Sequence, residues 1–212
     1  MTRVAIDPAG YPFILGALGL GLVAGAAVSP WLATPLVALA AFFLFFFRDP
    51  DRVVAAAGDA AVLSPADGRV LVAGPAVAGA APDGEWLQIS IFLSPMDVHV
   101  NRVPVSGRVT RVSYTPGRYL PAYRQDAATA NERSEIWIDH AGQFVVARQI
   151  VGALARRVVC RLATGAEVRA GDRYGVMKFG SRMDIFLPTT AEITVEVGAT
   201  VRGGESVIAV LH

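Results

Sequence analysis

Two charge-free apolar runs at the N-terminus constrain the architecture of this chain more than any other feature. They cover residues 13–28 and 31–47, and the helix-breaking pair Ser29-Pro30 separates them. Each run is a little shorter than the ~20 residues that a perpendicular membrane-spanning helix needs. The sequence therefore predicts an N-terminal hydrophobic helical hairpin, either as two short spanning helices or as a re-entrant hairpin in one leaflet.

A cleaved signal peptide is the alternative interpretation of this segment. It would end in small residues at a cleavage site, whereas the second run ends in an aromatic block followed by Arg48. Arg3 precedes the hairpin, and Arg48 and Arg52 follow it, which favours both outer ends on the cytoplasmic side of the cell (inner) membrane. We therefore expect a membrane-anchoring hairpin over residues 1–50 and a β-rich catalytic domain over residues 51–212.

The composition excludes several classes of protein. The net formal charge is +1, so no nucleic-acid partner held by bulk charge is expected. A single cysteine, Cys160, rules out an intramolecular disulfide and Cys-rich metal sites, and we expect it in the core. The three histidines, His99, His140 and His212, lack metal-ligand spacing. We therefore expect no metal, and we interpret His140 and His212 as structural or solvated.

Short β-rich runs recur from Val53 onward, and turns rich in glycine and aspartate separate them. No long amphipathic helical pattern competes with these runs. The sequence predicts a mainly β domain with a sandwich or barrel-like fold. The predicted strands lie at 60–64, 69–73, 86–93, 108–114, 134–140, 143–151, 156–162, 184–188, 193–197 and 206–211.

An internal echo refines this prediction. The segment SPADGRVLVA (64–73) resembles VPVSGRVTRV (103–112), and EVRAGDRYGVM (167–177) resembles TVRGGESVIAV (200–210). Quasi-repeated strand–Gly-turn–strand units of this kind are typical of barrel-sandwich folds of the lipoyl and biotinyl type.

The pair Gly180-Ser181, between two apolar strand-like stretches, is a favourable place for a backbone to attack itself. The serine hydroxyl is one residue from the preceding carbonyl, and glycine leaves that carbonyl unshielded. Attack converts the amide into an ester, and β-elimination followed by hydrolysis leaves a pyruvoyl group and ammonia. The alternative interpretation is a tight turn or bulge between two strands.

Two further segments carry residues suited to proton transfer. Asp97 and His99 follow a Ser-Pro break, and positions two apart in a strand share a face. Histidine is the side chain best suited to move protons near neutral pH. Asp67 precedes Gly68 in a hairpin-type turn signal, so its alternative role is only to shape the turn.

Five segments taken in order resemble the phosphatidylserine decarboxylase family over about residues 45–190, and the hydrophobic N-terminus fits as well. The Phe179-Gly-Ser-Arg182 variant is similar to the short, type II branch of bacteria and archaea, whereas longer members carry Leu-Gly-Ser-Thr. The segments are SPADGRV (64–70), FLSPMDVHVNRVPVSG (92–107), NERSE (131–135), QIVGALARRVVC (149–160) and GDRYGVMKFGSRMDIFLP (171–188).

The resemblance implies a role for each matching residue. Ser181 becomes a covalent pyruvoyl group, which serves as the cofactor, and Gly180 becomes the C-terminus of a large chain 1–180 that stays associated with a small chain 181–212. Asp67 assists this self-processing through a histidine, in an arrangement like that of serine proteases. The family's catalytic histidine falls on His99.

Four more residues are implied near the substrate. The family's second histidine is replaced by Arg102, so either His99 performs both processing and decarboxylation, or Arg102 supports the anionic substrate. Arg182 puts a charge beside the pyruvoyl group that is suited to a lipid phosphate. Asn131 and Glu132 match a family stretch near the active site.

The activity that this resemblance implies is decarboxylation of phosphatidylserine to phosphatidylethanolamine. The substrate amine condenses with the pyruvoyl ketone to an imine, which accepts the electrons when carbon dioxide leaves. The expected partners are phosphatidylserine and the bilayer, and the sequence leaves the oligomeric state open, a homo-oligomer included.

Three alternative functions remain open at this stage. A barrel-sandwich carrier of the lipoyl or phosphocarrier type would need Lys178 at a hairpin tip or paired phosphorylated histidines, and it would not explain the hairpin. A pyruvoyl decarboxylase of another serine-headgroup lipid would use the same chemistry. A pyruvoyl enzyme for a soluble amino acid would have no reason to be held at a bilayer.

Overall fold

The computed structural model describes residues 4–54, 58–153, 158–178 and 180–212. The chain divides into two compact units, Met1–Asp51 and Arg52–His212. Arg3, Phe179 and the first two residues of the strand predicted at 156–162 lie outside the described residues.

The first unit is a pair of apolar helices, as the sequence predicts. A 3₁₀ turn, Pro30–Leu32, follows the Ser29-Pro30 break and leads into the second helix. By length and composition Pro8–Ala27 could cross a membrane, and Pro30–Phe46 is a shorter apolar helix. The elements are β1 (Val4–Ile6), a 3₁₀ turn (Pro8–Gly10), α1 (Tyr11–Ala27), α2 (Ala33–Phe46) and β2 (Arg48–Pro50), with β1 antiparallel to β2.

The second unit is mainly β, which confirms the predicted fold class. A strand overlaps each of the ten predicted regions, whereas four short strands, Val100–Arg102, Glu167–Val168, Arg173–Val176 and Thr200–Val201, were not predicted. The elements are β3 (Ala61–Leu63), β4 (Gly68–Pro75), β5 (Leu87–Leu93), β6 (Val100–Arg102), β7 (Gly107–Thr115), α3 (Ala127–Ala130), β8 (Arg133–His140), β9 (Gln143–Ile150), β10 (Val159–Cys160), β11 (Glu167–Val168), β12 (Arg173–Val176), β13 (Ser181–Leu187), β14 (Glu192–Ile193), β15 (Thr200–Val201) and β16 (Val207–Val210).

These strands form a curled eight-stranded half-barrel in the order β11-β7-β8-β9-β13-β5-β4-β15 and two three-stranded sheets, β10-β12-β6 and β14-β16-β3. Strand β13 lies near the middle of the large sheet, with β9 on one side and β5 on the other. Alternate side chains of these strands face the core because successive side chains of a strand point to opposite faces. The core cluster includes Ile89, Ile91, Leu93, Tyr174, Met183, Ile185 and Leu187.

The internal echo seen in the sequence corresponds to a structural repeat. Gly68 and Gly107 open β4 and β7 with the same φ of 152°, and a Cβ at either position would lie 2.2 Å from a carbonyl oxygen of the neighbouring strand. In each strand the register then shifts by one residue, after Val70 and after Val109. The two halves therefore repeat the same turn and bulge in space.

Candidate active site

Ser181 opens β13 and is fully buried on the core side of the large sheet. Within the described residues its Oγ is a buried hydroxyl that makes no hydrogen bond. Gly180 has φ of 70°, in the left-handed region that favours glycine, with open space where a Cβ would be. A buried polar atom without a partner is costly, so this hydroxyl is a candidate for chemistry rather than for stability.

Gly152 is a residue of this site that sequence reasoning missed. A Cβ built on Gly152 would lie 1.7 Å from the Gly180 carbonyl oxygen and 2.8 Å from its carbonyl carbon. No side chain fits at such a distance, so the Gly180 carbonyl occupies the space that any other residue would fill. The only signal in the sequence was an isolated glycine just after a strand, which marks a close backbone approach.

His99 lies just before β6 and is fully buried. Its Nδ1 is 3.0 Å from the backbone carbonyl oxygen of Asp97. A carbonyl can only accept a hydrogen bond, so a neutral imidazole in this contact carries its proton on Nδ1 and keeps Nε2 as the basic nitrogen.

Asp97 does not share a strand face with His99, because residues 94–99 form a turn instead of the expected strand. The carboxylate of Asp97 accepts a hydrogen bond of 2.8 Å from the backbone N–H of Ser94, and so it closes this turn. Its backbone carbonyl, rather than its side chain, contacts the imidazole.

A backbone hydrogen bond links His99 to the segment between β12 and β13. The backbone N–H of Met177, four residues before Ser181, donates to the carbonyl of His99 over 3.1 Å. Between the small sheet and the large one, the side chain of Asn101 accepts a 2.8 Å hydrogen bond from the side chain of Gln149, which is opposite Met183 in the register of β9 and β13. His99 is therefore tied to the segment that leads into β13, and Asn101 is tied to the strand that pairs with β13.

Asp67 lies at the turn before β4, on the far side of β5 from Ser181. Arg69 and Ser181 are opposite the adjacent β5 residues Phe92 and Leu93, on either edge of that strand. Two strand spacings, about 10 Å, therefore separate the β4 backbone beside Asp67 from the backbone of Ser181. The Asp67 carboxylate forms an ion pair of 2.7 Å with Arg52.

The other oxygen of Asp67 accepts a loop hydrogen bond that has an equivalent in the second half of the structural repeat. It accepts a 2.8 Å hydrogen bond from the backbone N–H of Gly203. At the equivalent turn of the second half, the hydroxyl of Ser106 accepts a 3.0 Å hydrogen bond from the N–H of Ala170. A hydroxyl is thus sufficient to hold this type of loop, whereas the negative charge paired with Arg52 is particular to Asp67.

Arg182 points to the face of the sheet opposite to Ser181. Its guanidinium is buried, with Nε 2.6 Å from the carboxylate of Asp184 and Nη2 2.9 Å from the hydroxyl of Ser90. Gln88 donates to the same carboxylate over 3.2 Å. The charge of Arg182 is therefore neutralised inside the protein.

Asn131 and Glu132 hold together the segments that surround Gly152. The Asn131 amide exchanges hydrogen bonds of 2.9 and 2.8 Å with the backbone of Leu120 and donates to the carbonyl of Val151 over 2.8 Å. Glu132 accepts a 2.8 Å hydrogen bond from the phenol of Tyr119. Both residues are buried.

Arg102 is buried in β6 and donates from Nη1 to the carbonyl of Gly171 over 3.0 Å. A Cβ at Gly204 would lie 2.9 Å from the Arg102 side chain, so the arginine packs between the two glycine turns that contain Gly171 and Gly204. Gly203, next to it, binds Asp67. The structure therefore groups Arg102 with Asp67 and the turns of the repeat.

The remaining titratable candidates lie where a structural role is expected. His140 Nδ1 is 2.7 Å from the carbonyl of Ser106, and His212 Nε2 is 3.6 Å from Glu192. Cys160 is half-buried, and burial raises the pKa of its thiol. Among the described residues no three His, Cys, Asp or Glu side chains come together as a metal site.

The sequence of this chain matches one protein family over most of its length. The family model for phosphatidylserine decarboxylase matches residues 39–209. A phosphatidylserine decarboxylase proenzyme of Chlorobium phaeobacteroides (strain BS1) is 43% identical over 190 residues, covering 90% of this chain and 88% of the relative. The proenzyme of Granulibacter bethesdensis is 43% identical over 214 residues, with 99% and 86% covered, and that of Prosthecochloris aestuarii is 46% identical over 169 residues, with 79% and 76% covered. The chain belongs to the phosphatidylserine decarboxylase family.

Proposed function

We propose that this protein decarboxylates phosphatidylserine to phosphatidylethanolamine, and that it matures by cutting itself between Gly180 and Ser181. Relatives that match most of the chain are phosphatidylserine decarboxylase proenzymes, a term for a precursor that must be converted. The observation that carries the proposal is the buried, unbonded hydroxyl of Ser181 directly after a glycine whose carbonyl is packed against Gly152.

The cleavage begins when Ser181 Oγ forms a bond to the carbonyl carbon of Gly180. The hydroxyl proton passes to a base, the C–N bond breaks, and the freed amine takes a proton, which leaves an ester. A base then removes the Cα proton of residue 181, and the carboxylate of Gly180 departs. Water finally replaces the nitrogen of the resulting dehydroalanine, releasing ammonia and leaving a pyruvoyl group at the start of chain 181–212.

His99 is the proposed base for the first of these steps, because the contact with Asp97 favours a tautomer whose Nε2 can accept a proton. Asp67 is proposed to support this step through its charge. Because β5 lies between β4 and β13, Asp67 is proposed to act on the serine through another group.

A pyruvoyl group at position 181 would supply a ketone able to react with the amine of the substrate and to accept the electron pair left by carbon dioxide. The residues around it have to hold the substrate and deliver one proton to the carbanion carbon. His99 is the proposed donor, because Arg102 stands in place of a second histidine and keeps its proton near neutral pH.

Arg102, Arg182, Asn131 and Glu132 are proposed to support the substrate side of the site. Protein groups already engage each of these side chains in the uncut chain. A direct contact with lipid therefore requires an exchange of these partners, whereas an indirect role requires only that they keep their present positions.

The apolar helix pair is proposed as the membrane anchor that gives access to a lipid substrate, with the domain from Arg52 onward on the cytoplasmic face of the inner membrane. The helices present many large apolar side chains to the surroundings, Leu22 and Trp31 among them. Lipid tails would cover this surface at no cost in unpaired polar groups, because helices satisfy their own backbone.

Intact-mass measurement on purified protein tests the cleavage. The wild-type chain should give two masses, for residues 1–180 and for residues 181–212 with a pyruvoyl N-terminus, and Ser181→Ala should give one uncut mass. Ser206→Ala, in the same C-terminal segment, is the matched control and should be cut. The mechanism would be wrong if wild-type protein released carbon dioxide from phosphatidylserine and still gave a single full-length mass.

A further inference from the structure

The antiparallel register places Gly152 directly against the bond proposed to be cut. Strands β9 and β13 pair Ile150 with Arg182 and Gln149 with Met183. The same register continued by two residues brings Gly152 opposite Gly180. The overlap of a Gly152 Cβ with the Gly180 carbonyl, at 1.7 Å, agrees with this alignment.

This contact fixes the direction of the Gly180 carbonyl. Its oxygen lies where the Cβ of residue 152 would be, against the bare Cα of Gly152. Side chains of a strand stand roughly perpendicular to the sheet, and Ser181 faces the core. The buried serine hydroxyl is therefore one residue from a carbonyl group whose oxygen is restrained by its contact with Gly152.

The backbone at Gly152 is itself held in position. Asn131 binds both the carbonyl of Val151 and the backbone of Leu120, and the N–H of Val151 donates to the carbonyl of Glu132 over 3.0 Å. On the other side, a Cβ at Gly152 would already touch Ala122 at 3.4 Å. The Gly152 backbone consequently has little freedom to retreat from the Gly180 carbonyl if a side chain were added.

We propose that Gly152 is a positioning residue for self-cleavage: its bare Cα provides the space in which the Gly180 carbonyl is held for attack by Ser181. The inference rests on the proposed function, and it adds a requirement for glycine at position 152 that is separate from the identity of the cut pair. An alanine there displaces the carbonyl and slows ester formation, whereas the steps after the ester do not depend on this contact.

The experiment compares Gly152→Ala with wild type and with Gly107→Ala. Gly107 is a matched control because its Cβ would also overlap a carbonyl oxygen of the paired strand, that of Asp139 at 2.2 Å, at the opposite end of the sheet from Ser181. Displacement of a reacting group by about 1 Å costs about 100-fold in rate. Gly152→Ala should therefore mature at least about 100-fold more slowly, while Gly107→Ala, provided that it folds, matures at the wild-type rate.

Treatment with hydroxylamine shows whether a slow variant fails before or after the ester between Gly180 and Ser181 forms. It cleaves esters readily and amides slowly, so a variant that stops after ester formation is cut by it at residue 180. Gly152→Ala should stay uncut in hydroxylamine because no ester accumulates. Cutting of Gly152→Ala by hydroxylamine at the rate of an ester would overturn the proposal.

Thermal unfolding of the same variants in an uncuttable Ser181→Ala background shows whether each one folds. If Gly152→Ala does not fold, Asn131→Ala takes its place, because it removes the hydrogen bond to Val151 without adding a side chain at position 152. Slower ester formation in Asn131→Ala supports the proposal. Maturation of Asn131→Ala at the wild-type rate contradicts it. Uncut wild-type protein would refute the proposed function. Normal cutting of both wild type and Gly152→Ala would refute only the role of Gly152.

Discussion

At the scale of single residues, Asp67 combines two tasks that the structural repeat separates. One oxygen holds the Gly203 loop, as the hydroxyl of Ser106 holds the equivalent loop of the other half. The other oxygen carries the charge that pairs with Arg52. Substitutions can therefore remove the charge while they keep the loop contact.

Asp67→Ser tests the charge alone, because serine can accept the hydrogen bond from Gly203 as Ser106 does from Ala170. We expect folded protein that matures roughly 10²–10⁴-fold more slowly, the range found when a group that assists proton transfer is lost. Asp67→Ala should be at least as slow. Time courses of cleavage measured by mass spectrometry would check this, and normal cleavage of Asp67→Ser would reduce Asp67 to a turn residue.

His99 is predicted to serve decarboxylation as well as maturation. A His99 variant that still cuts itself slowly should, once cut, convert phosphatidylserine roughly 10²–10⁴-fold more slowly than wild type, since its carbanion lacks a positioned acid. Borohydride trapping of the substrate amine on residue 181 should survive. Wild-type turnover by cut His99→Ala would show that water or another group delivers the proton.

The sequence was sufficient to propose Gly180, Ser181 and His99 as site residues, because adjacent residues and short motifs carry the chemistry expected of them. It was insufficient for Gly152, whose proposed role depends on which strand pairs with β13 and in which register. That information is non-local, and a single glycine after a strand does not contain it.

At the scale of elements, β13 has two faces of different character. Its core face carries Ser181, Met183 and Ile185, whereas its opposite face carries the ion pair of Arg182 and Asp184. Alternation along the strand, once the strand is known to begin at Ser181, is sufficient to predict that Arg182 points away from the serine. The strand predicted from the sequence began at residue 184, three residues later than in the structure. Arg182 therefore lay outside the predicted strand, and the direction of its side chain was not predicted.

Breaking the Arg182–Asp184 pair should be costly because both side chains are buried, at 3% and 0% exposure. Asp184→Ala leaves the guanidinium without its counter-charge, and we expect a loss of about 3–5 kcal/mol of unfolding free energy. The double variant Arg182→Met, Asp184→Leu should recover most of that loss. Denaturant unfolding in the Ser181→Ala background would measure both, and a double variant no more stable than Asp184→Ala would contradict this account.

At the scale of the whole molecule, the proposed membrane anchor and its orientation can be tested by cysteine labelling. The native Cys160 should be labelled only slowly, because burial raises the pKa of its thiol and leaves less reactive thiolate at neutral pH. Val53, 82% exposed just after the helix pair, and Val28, 75% exposed between the helices, are sites for new cysteines.

Val53→Cys should resist an impermeant maleimide added to intact cells and react in inverted membrane vesicles, if the domain is cytoplasmic. Val28→Cys should react from outside the cell if the helices span the membrane, and from neither side if they form a re-entrant hairpin. Labelling of Val53→Cys in intact cells would contradict the proposed orientation.

Because β13 lies near the middle of the large sheet, the proposed cut changes how the protein could refold after denaturation. Residues 181–212 supply β13, which pairs with β5 along its whole length and with β9, and also β15 and β16, which belong to different sheets. Before the cut, all of these pairings form within one chain. Afterwards the same native contacts join two molecules, and a denatured enzyme would have to find its lost fragment by diffusion, so that recovery depends on concentration. The molecule would thus keep its shape by the slowness of its unfolding rather than by its ability to refold.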